Sequence, residues 1–270
     1  MSDQNLNPQV LRSELEGILS KNLKSSRDIA RGITLIENNL EAGLEIESVF
    51  QDLTTPTCCR IGITGSPGVG KSSLVSSLLN SIDLLRVNVA VIAVDPSSRK
   101  TMGALLADRI RVSDNSIFEN IYFRSLASRG SYGGLVHNID YILKFLGHCG
   151  FDLVFVETVG VGQNEVDIEK SVDVLIHVVD SKAGDSIQIA KAGVMEIGDI
   201  FFVNKSDMGF NPRYIEDLAT LPHLKKKFSN PGEAIITGSA IKNEGISEII
   251  DLIFRLTSNV AILRGRINHE

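Results

Sequence analysis

The sequence predicts an α/β fold: a mostly parallel central sheet flanked by helices, with a short N-terminal helical segment. Three observations carry this. From about residue 58, apolar runs at 59–64, 88–95, 120–126, 152–157, 173–180, 199–204 and 233–237 alternate with stretches of helical period. Alternation of this kind builds a parallel sheet covered on both faces. The first run feeds Gly65-Ser66-Pro67-Gly68-Val69-Gly70-Lys71-Ser72, and Ser73 then leads into Leu74, Val75, Leu78 and Leu79 at helical spacing, so the order is strand, glycine turn, helix. The first 55 residues are instead polar and helical in period throughout.

In that N-terminal stretch, Val10, Leu11, Leu15, Ile18 and Leu19 suggest one helix. Ile29, Ile33, Ile36 and Leu40 suggest a second, with Ser25-Ser26 as its cap. Thr54-Thr55-Pro56-Thr57 has the composition of a linker, which divides the chain into a helical segment at 1–55 and a nucleotide-binding domain at 56–270. The helices are expected to pack on that domain rather than stand apart as a partner arm. Further on, Ser128-Arg129-Gly130-Ser131-Tyr132-Gly133-Gly134 precedes an amphipathic helix with Leu135, Ile139, Ile142, Leu143 and Leu146. The glycine-rich stretch reads either as a loop near the nucleotide or a partner, or as an ordinary connection. A last helix spans 246–256.

Residues 65–72 complete the pattern G-x-x-x-x-G-K-S of a phosphate loop. Between a strand and a helix, it turns several backbone N–H groups into one concavity, and the helix start adds partial positive charge. Glycines allow the phosphate a close approach. Lys71 is placed to reach the β- and γ-phosphates, and Ser72 to ligate Mg²⁺. The fold expected is therefore that of a P-loop NTPase.

A second motif selects the base. The run at 197–203 ends in Asn204-Lys205-Ser206-Asp207. The Asp207 carboxylate can accept from both N1–H and N2–H₂ of guanine, a donor pair adenine lacks. Sites built on such bonds reject a wrong partner by roughly 10⁴–10⁵-fold. The Lys205 stem would lie along the base, Asn204 would tie this loop to the phosphate loop, and the N–H groups of Ser239 and Ala240, after another strand, would meet guanine O6. The ligands read are GTP and GDP with Mg²⁺.

Three acids compete for the metal side: Asp95 at the end of the strand at 88–95, Glu157 at the end of that at 152–157, and Asp108 beside Arg109 and Arg111. Ligands gather beyond the carboxyl ends of strands in doubly wound sheets. Mg²⁺ keeps several waters, so Asp95 and Glu157 are expected to act partly through water; for Asp95 a turn acid before Pro96 is the competing reading. Gly160 is positioned as a γ-phosphate sensor, with an N–H for an oxygen that only the triphosphate carries. Gln163, three residues on, is a candidate to position water or contact a partner. Lys71, Glu157, Gly160 and Gln163 form the catalytic set, and slow intrinsic turnover is expected.

The bulk properties narrow the classes. A net charge of −6 argues against nucleic acid as a main partner. No apolar run reaches transmembrane length and the N-terminus lacks signal-peptide character, so a cytoplasmic protein is expected. Cys58, Cys59 and Cys149 have no ligand spacing and suit reducing surroundings. His177, inside an apolar strand, reads as a packed residue.

Taken in order, Gly62-Ile-Thr-Gly-Ser-Pro-Gly-Val-Gly-Lys-Ser, Val94-Asp-Pro-Ser-Ser, Asp108-Arg-Ile-Arg, Ser128-Arg-Gly-Ser-Tyr-Gly-Gly, Glu157-Thr-Val-Gly-Val-Gly-Gln and Asn204-Lys-Ser-Asp resemble the MeaB/ArgK family of SIMIBI-class GTPases, relatives of the methylmalonic aciduria type A protein. The resemblance implies a G-protein chaperone that hydrolyses GTP while loading or protecting an adenosylcobalamin-dependent acyl-CoA mutase such as methylmalonyl-CoA mutase. An older family label implies a kinase linked to arginine/ornithine transport. A metallochaperone GTPase of the same class is a third reading, and calls for a Cys/His cluster that the sequence does not display. Members commonly continue into a helical extension used for dimerisation. This sequence ends at Glu270, soon after the helix at 246–256, which leaves homodimerisation open. Met102 and Ala107 stand where glycines are usual in the family's switch segment.

Overall fold

The computed structural model describes residues 6–21, 25–51, 53, 58–82, 87–95, 120–127, 134–158, 168–182 and 198–257. Strands β1 (Cys59–Thr64), β2 (Val89–Asp95), β3 (Ile121–Ala127), β4 (Leu153–Thr158), β5 (Val174–Asp180), β6 (Ile200–Asn204) and β7 (Ile235–Thr237) form a sheet in the order β3-β2-β4-β1-β5-β6-β7. All neighbouring pairs are parallel. Each strand starts within two residues of its sequence expectation. The start of β7 is the largest shift: Pro231–Ala234 forms a 3₁₀ turn capped by Asn230, because Pro231 has no N–H to give to a ladder.

Alternation along the strands sorts two cores onto the two faces. Val89, Val91, Leu153 and Phe155 face α4 (Lys71–Ile82) and α8 (Ile246–Leu256), burying Leu74, Val75, Leu78, Ile249 and Leu252. Ala90, Ile92, Val94, Val154 and Val156 face the other way, onto α5 (Gly134–His148), α1 (Pro8–Leu19), α2 (Ser26–Asn38) and α3 (Gly43–Gln51). The N-terminal helices thus share a core with the sheet. A buried aliphatic side chain contributes about 1.5–3 kcal/mol by leaving water.

Local chemistry fixes these helices. Ser25 and Asp28 make a reciprocal capping box at the start of α2, the Asp28 N–H donating to Ser25 Oγ at 3.2 Å and the Ser25 N–H to Asp28 Oδ2 at 3.1 Å. Gly32 lets α2 approach α5: a Cβ there would stand 2.1 Å from Phe145 Cζ. Arg124 on β3 reaches Glu37 on α2 at 2.7 Å.

At the amino-terminal rim of the sheet, three aspartates just ahead of strands fasten the next strand over. Asp152 accepts from Asn88 N–H (2.9 Å), Asp173 from Arg60 N–H (2.8 Å) and Asp199 from Leu175 N–H (2.8 Å). The opposite rim is left to loops.

Three helices stand without an individual expectation from the sequence: α3, inside the stretch read as helical in period, α6 (Pro212–Ala219) and α7 (Pro222–Lys227). The last two are one to two turns long, too short for a periodic signal, and each opens on a proline whose missing N–H costs nothing at a helix start. Tyr214, Leu218 and Leu224 from them cover Phe201 and Val203 of β6. His177 is buried and stacks on Phe201 with ring centroids 5.5 Å apart. Among the described residues, no helix is long and apolar enough to cross a membrane.

Candidate nucleotide site

The carboxyl ends of β1, β4, β5 and β6 converge on the loop at 65–70. Its backbone takes φ values of +138° at Gly65, +79° at Gly68 and +100° at Gly70, a region that side-chain-bearing residues avoid. Space is equally limiting. A Cβ on Gly65 would meet the Val178 carbonyl oxygen at 2.2 Å, and one on Gly70 would meet Asn204 Nδ2 at 2.3 Å. Lys71 opens α4 and is only 6% exposed. Its ammonium is folded into the loop, donating to the carbonyls of Gly65 (2.6 Å) and Ser66 (3.0 Å).

Ser72 and Glu157, assigned to one metal site from the sequence, lie together. The Ser72 hydroxyl donates to Glu157 Oε1 at 2.7 Å. Burial pushes the Glu157 carboxyl up, while Ser72 and the nearby Lys71 charge pull it partly back. Thr158 Oγ1 lies 3.1 Å from Thr64 Oγ1, joining the ends of β4 and β1. Oxygen donors of this kind suit Mg²⁺. Asp95 closes β2, two residues beyond the position paired with Glu157. The Asp95 side chain, Asp108, Gly160, Gln163, the stretch at 128–133 and the linker at 54–57 lie outside the described residues.

The loop at 204–207 is held to the phosphate loop by two side chains, Asn204 and Lys205. Asn204 is 3% exposed. Its Nδ2 donates to the Val69 carbonyl at 2.8 Å, and its Oδ1 accepts from the Ala240 N–H at 2.9 Å. A carbonyl on one side and an N–H on the other admit a single orientation of the amide. Lys205 takes a left-handed φ of +64°, and its ammonium donates to the Gly68 carbonyl at 2.9 Å. The Asp207 carboxyl is held below the usual range, first by a hydrogen bond from the Ser239 hydroxyl, with Lys242 adding charge from 3.6 Å. The Ser239 N–H goes to the Glu244 carbonyl (3.2 Å). The two N–H groups offered from sequence to guanine O6 are thus donated within the protein, and an acceptor arriving at Ala240 competes with Asn204. Ser77 of α4 donates to the Ala240 carbonyl at 2.5 Å, fixing that segment from beneath.

Two residues at this rim escaped the sequence analysis. Asp180 ends β5 and receives the Lys205 ammonium at 2.7 Å. Ser181 is fully buried, its hydroxyl shared between the carbonyls of Lys205 (2.9 Å) and Gly209 (2.8 Å). The criterion that singled out Asp95 and Glu157, an acid at a strand's carboxyl end, applies equally to Asp180.

A parallel sheet whose first strand turns through glycines into a helix carrying Lys71 and Ser72, cross-tied by Asn204 to a loop carrying Asp207, defines a P-loop GTPase. The chain belongs to the MeaB family: the family model described as methylmalonyl Co-A mutase-associated GTPase MeaB matches residues 29–269. A Pyrococcus abyssi protein named as a GTPase is 43% identical over 230 residues, covering 84% of this chain and 71% of its own. GTPase ArgK of Escherichia coli is 34% identical over 230 residues, covering 82% and 69%. Among solved structures, a LAO/AO transport system kinase superposes with a TM-score of 0.64 at 23% identity, covering 97% of this chain and 81% of that one; at that identity the likeness is one of fold.

Proposed function

We propose that this GTPase is a chaperone-type G protein that binds an adenosylcobalamin-dependent acyl-CoA mutase, and uses GTP hydrolysis to gate cofactor loading or protect that enzyme. The observation that carries the reading is the match of residues 29–269 to a family described as mutase-associated. The geometry supplies the nucleotide end. In this reading GTP lies along the 65–72 loop with its base against Asp207 and Lys205. Lys71 exchanges its two carbonyl partners for β- and γ-phosphate oxygens. Mg²⁺ would be held by Ser72, with Glu157, Asp95 and Asp108 as the further acids; when bound, it neutralises charge on the β- and γ-phosphates. Glu157, which accepts from the Ser72 hydroxyl at 2.7 Å, orients it. Water attacks the γ-phosphorus and releases GDP and phosphate, with Gly160 sensing the γ-oxygen and Gln163 the candidate to position the water.

Two measurements test this. Turnover and pull-down with a purified cobalamin-dependent acyl-CoA mutase, across GTP-analogue, GDP and nucleotide-free states, should show state-dependent binding and a faster GTPase; by linkage a partner that favours one state binds it more tightly. Absence of binding in every state refutes the partner. Asp207→Asn should lose GTP and gain xanthosine triphosphate, whose C2 carbonyl accepts from an amide; retained tight GTP binding refutes the base assignment.

A further inference from the structure

Lys205 is a half-buried residue at this rim, held at both backbone and side chain. Its backbone is left-handed, with φ +64°, a conformation that costs any residue with a Cβ. Its carbonyl is held from below by Ser181 and from the chain ahead by the Met208 N–H at 3.0 Å. Its side chain is then stretched to two anchors on different elements, the Gly68 carbonyl in the phosphate loop and the Asp180 carboxylate at the end of β5. Asp180 is fastened in turn: its Oδ1 accepts from the Lys182 N–H at 3.0 Å. Two consecutive residues, Asp180 at the end of β5 and Ser181 just after it, thus grip both ends of Lys205, Ser181 at the backbone and Asp180 at the ammonium.

Both side chains of the ion pair are about one-third exposed, 33% for Lys205 and 30% for Asp180. An ion pair so exposed contributes little to folding stability. What the pair does well is to remove freedom from a four-carbon stem that would otherwise sample many rotamers. The carboxylate is suited to this: burial would push Asp180 up, but the Lys205 hydrogen bond and the Lys182 N–H more than offset it and hold the group below its ordinary range.

We propose that Asp180 is a positioning residue for the guanine nucleotide, acting through Lys205: it holds the lysine stem across the gap between the phosphate loop and β5, so that one wall of the base slot exists before the nucleotide arrives. The proposal rests on the reading of Lys205 as a base contact. Pre-ordering a wall spares the binding step that cost, so the effect should appear in affinity and should depend on Lys205 being present.

The test is a double-mutant cycle on the full chain, read as Kd for a non-hydrolysable GTP analogue by calorimetry, with thermal unfolding in parallel. Lys205→Ala should weaken binding by roughly tenfold and Asp180→Ala by roughly three- to tenfold, with unfolding midpoints nearly unchanged. Asp180→Asn, which keeps an oxygen acceptor, should lose less than Asp180→Ala. In the Lys205→Ala background, Asp180→Ala should change Kd by less than about twofold, since the group it acts through is gone. An Asp180→Ala effect of equal size in both backgrounds, or none in the wild type while Lys205→Ala weakens binding, overturns the positioning role alone. Unchanged affinity in Lys205→Ala overturns the base-contact reading, and this proposal with it.

Discussion

Removing the Asn204 amide should damage stability and nucleotide binding together. Asn204→Ala leaves two buried partners unsatisfied, the Val69 carbonyl and the Ala240 N–H, each bonded at under 3 Å in the structure. An orphaned buried polar group costs about 1–3 kcal/mol, so the two together should cost about 2–6 kcal/mol. For a domain of this size that is a fall of roughly 4–24 °C in Tm. Asn204→Asp should be at least as harmful at neutral pH. It retains the acceptor for Ala240 but sets a second acceptor, carrying charge, against the Val69 carbonyl, and a carboxylate in that buried place has no cation among the partners of Asn204. Denaturant unfolding and calorimetry of GTP-analogue binding measure both effects. A loss below about 1 kcal/mol in Asn204→Ala, with binding intact, would refute the claim that this side chain cross-ties the two loops.

Three further outcomes are expected. Lys71→Ala should reduce GTP hydrolysis to background and weaken triphosphate binding in single-turnover assays; because the lysine is buried against the Gly65 and Ser66 carbonyls, a modest drop in Tm should accompany it, and normal turnover in the folded variant would refute its role. Gly70→Ala combines a φ of +100° with a Cβ placed 2.3 Å from Asn204 Nδ2, so both GTP affinity and Tm should fall, the latter by the equivalent of roughly 2–4 kcal/mol; a variant as stable as the parent contradicts the packing described. Glu157→Gln should be more stable than the parent at pH 7, without added metal, and its advantage should vanish near pH 4. The folded pKa of Glu157 is raised from 4.5, so its contribution to stability is whole below that value and is lost as pH rises through the raised one. The same substitution should slow Mg²⁺-dependent hydrolysis, and a Gln variant less stable at pH 7 would show that Ser72 and Lys71 outweigh burial.

Much of this architecture could be read from sequence because it rests on local signals. Seven apolar runs gave seven strands: the inner strands β2, β4, β1, β5 and β6 are buried almost throughout and so have little choice but to be apolar, while the edge strands β3 and β7 are only partly buried. The glycine positions and Lys71-Ser72 are a contiguous string, and the Asn204-Lys-Ser-Asp motif predicts the tie from Asn204 to the phosphate loop that the structure shows. The misses have a shared cause. Helices α6 and α7 are shorter than any useful period, and only contact with Phe201 and Val203 reveals them. Asp180 and Ser181 matter through Lys205, 25 and 24 residues further along the chain, and no spacing rule reports a partner at that range. The inward fold of Lys71 and the donation of the Ala240 N–H to Asn204 likewise belong to three-dimensional bookkeeping of donors and acceptors, where each group finds a partner in its own surroundings.

The aspartates that fasten the amino-terminal rim give the sheet a direction. Asp152, Asp173 and Asp199 clip neighbouring strands at one end, while at the other end β1, β4, β5 and β6 are joined through side chains of the nucleotide loops. The sheet resembles a fan pinned at its base. A nucleotide bound at the loop end would add a pin to the side-chain ties already there, and its arrival or departure would be felt as a change in the spread of the strands rather than as a change in their pairing.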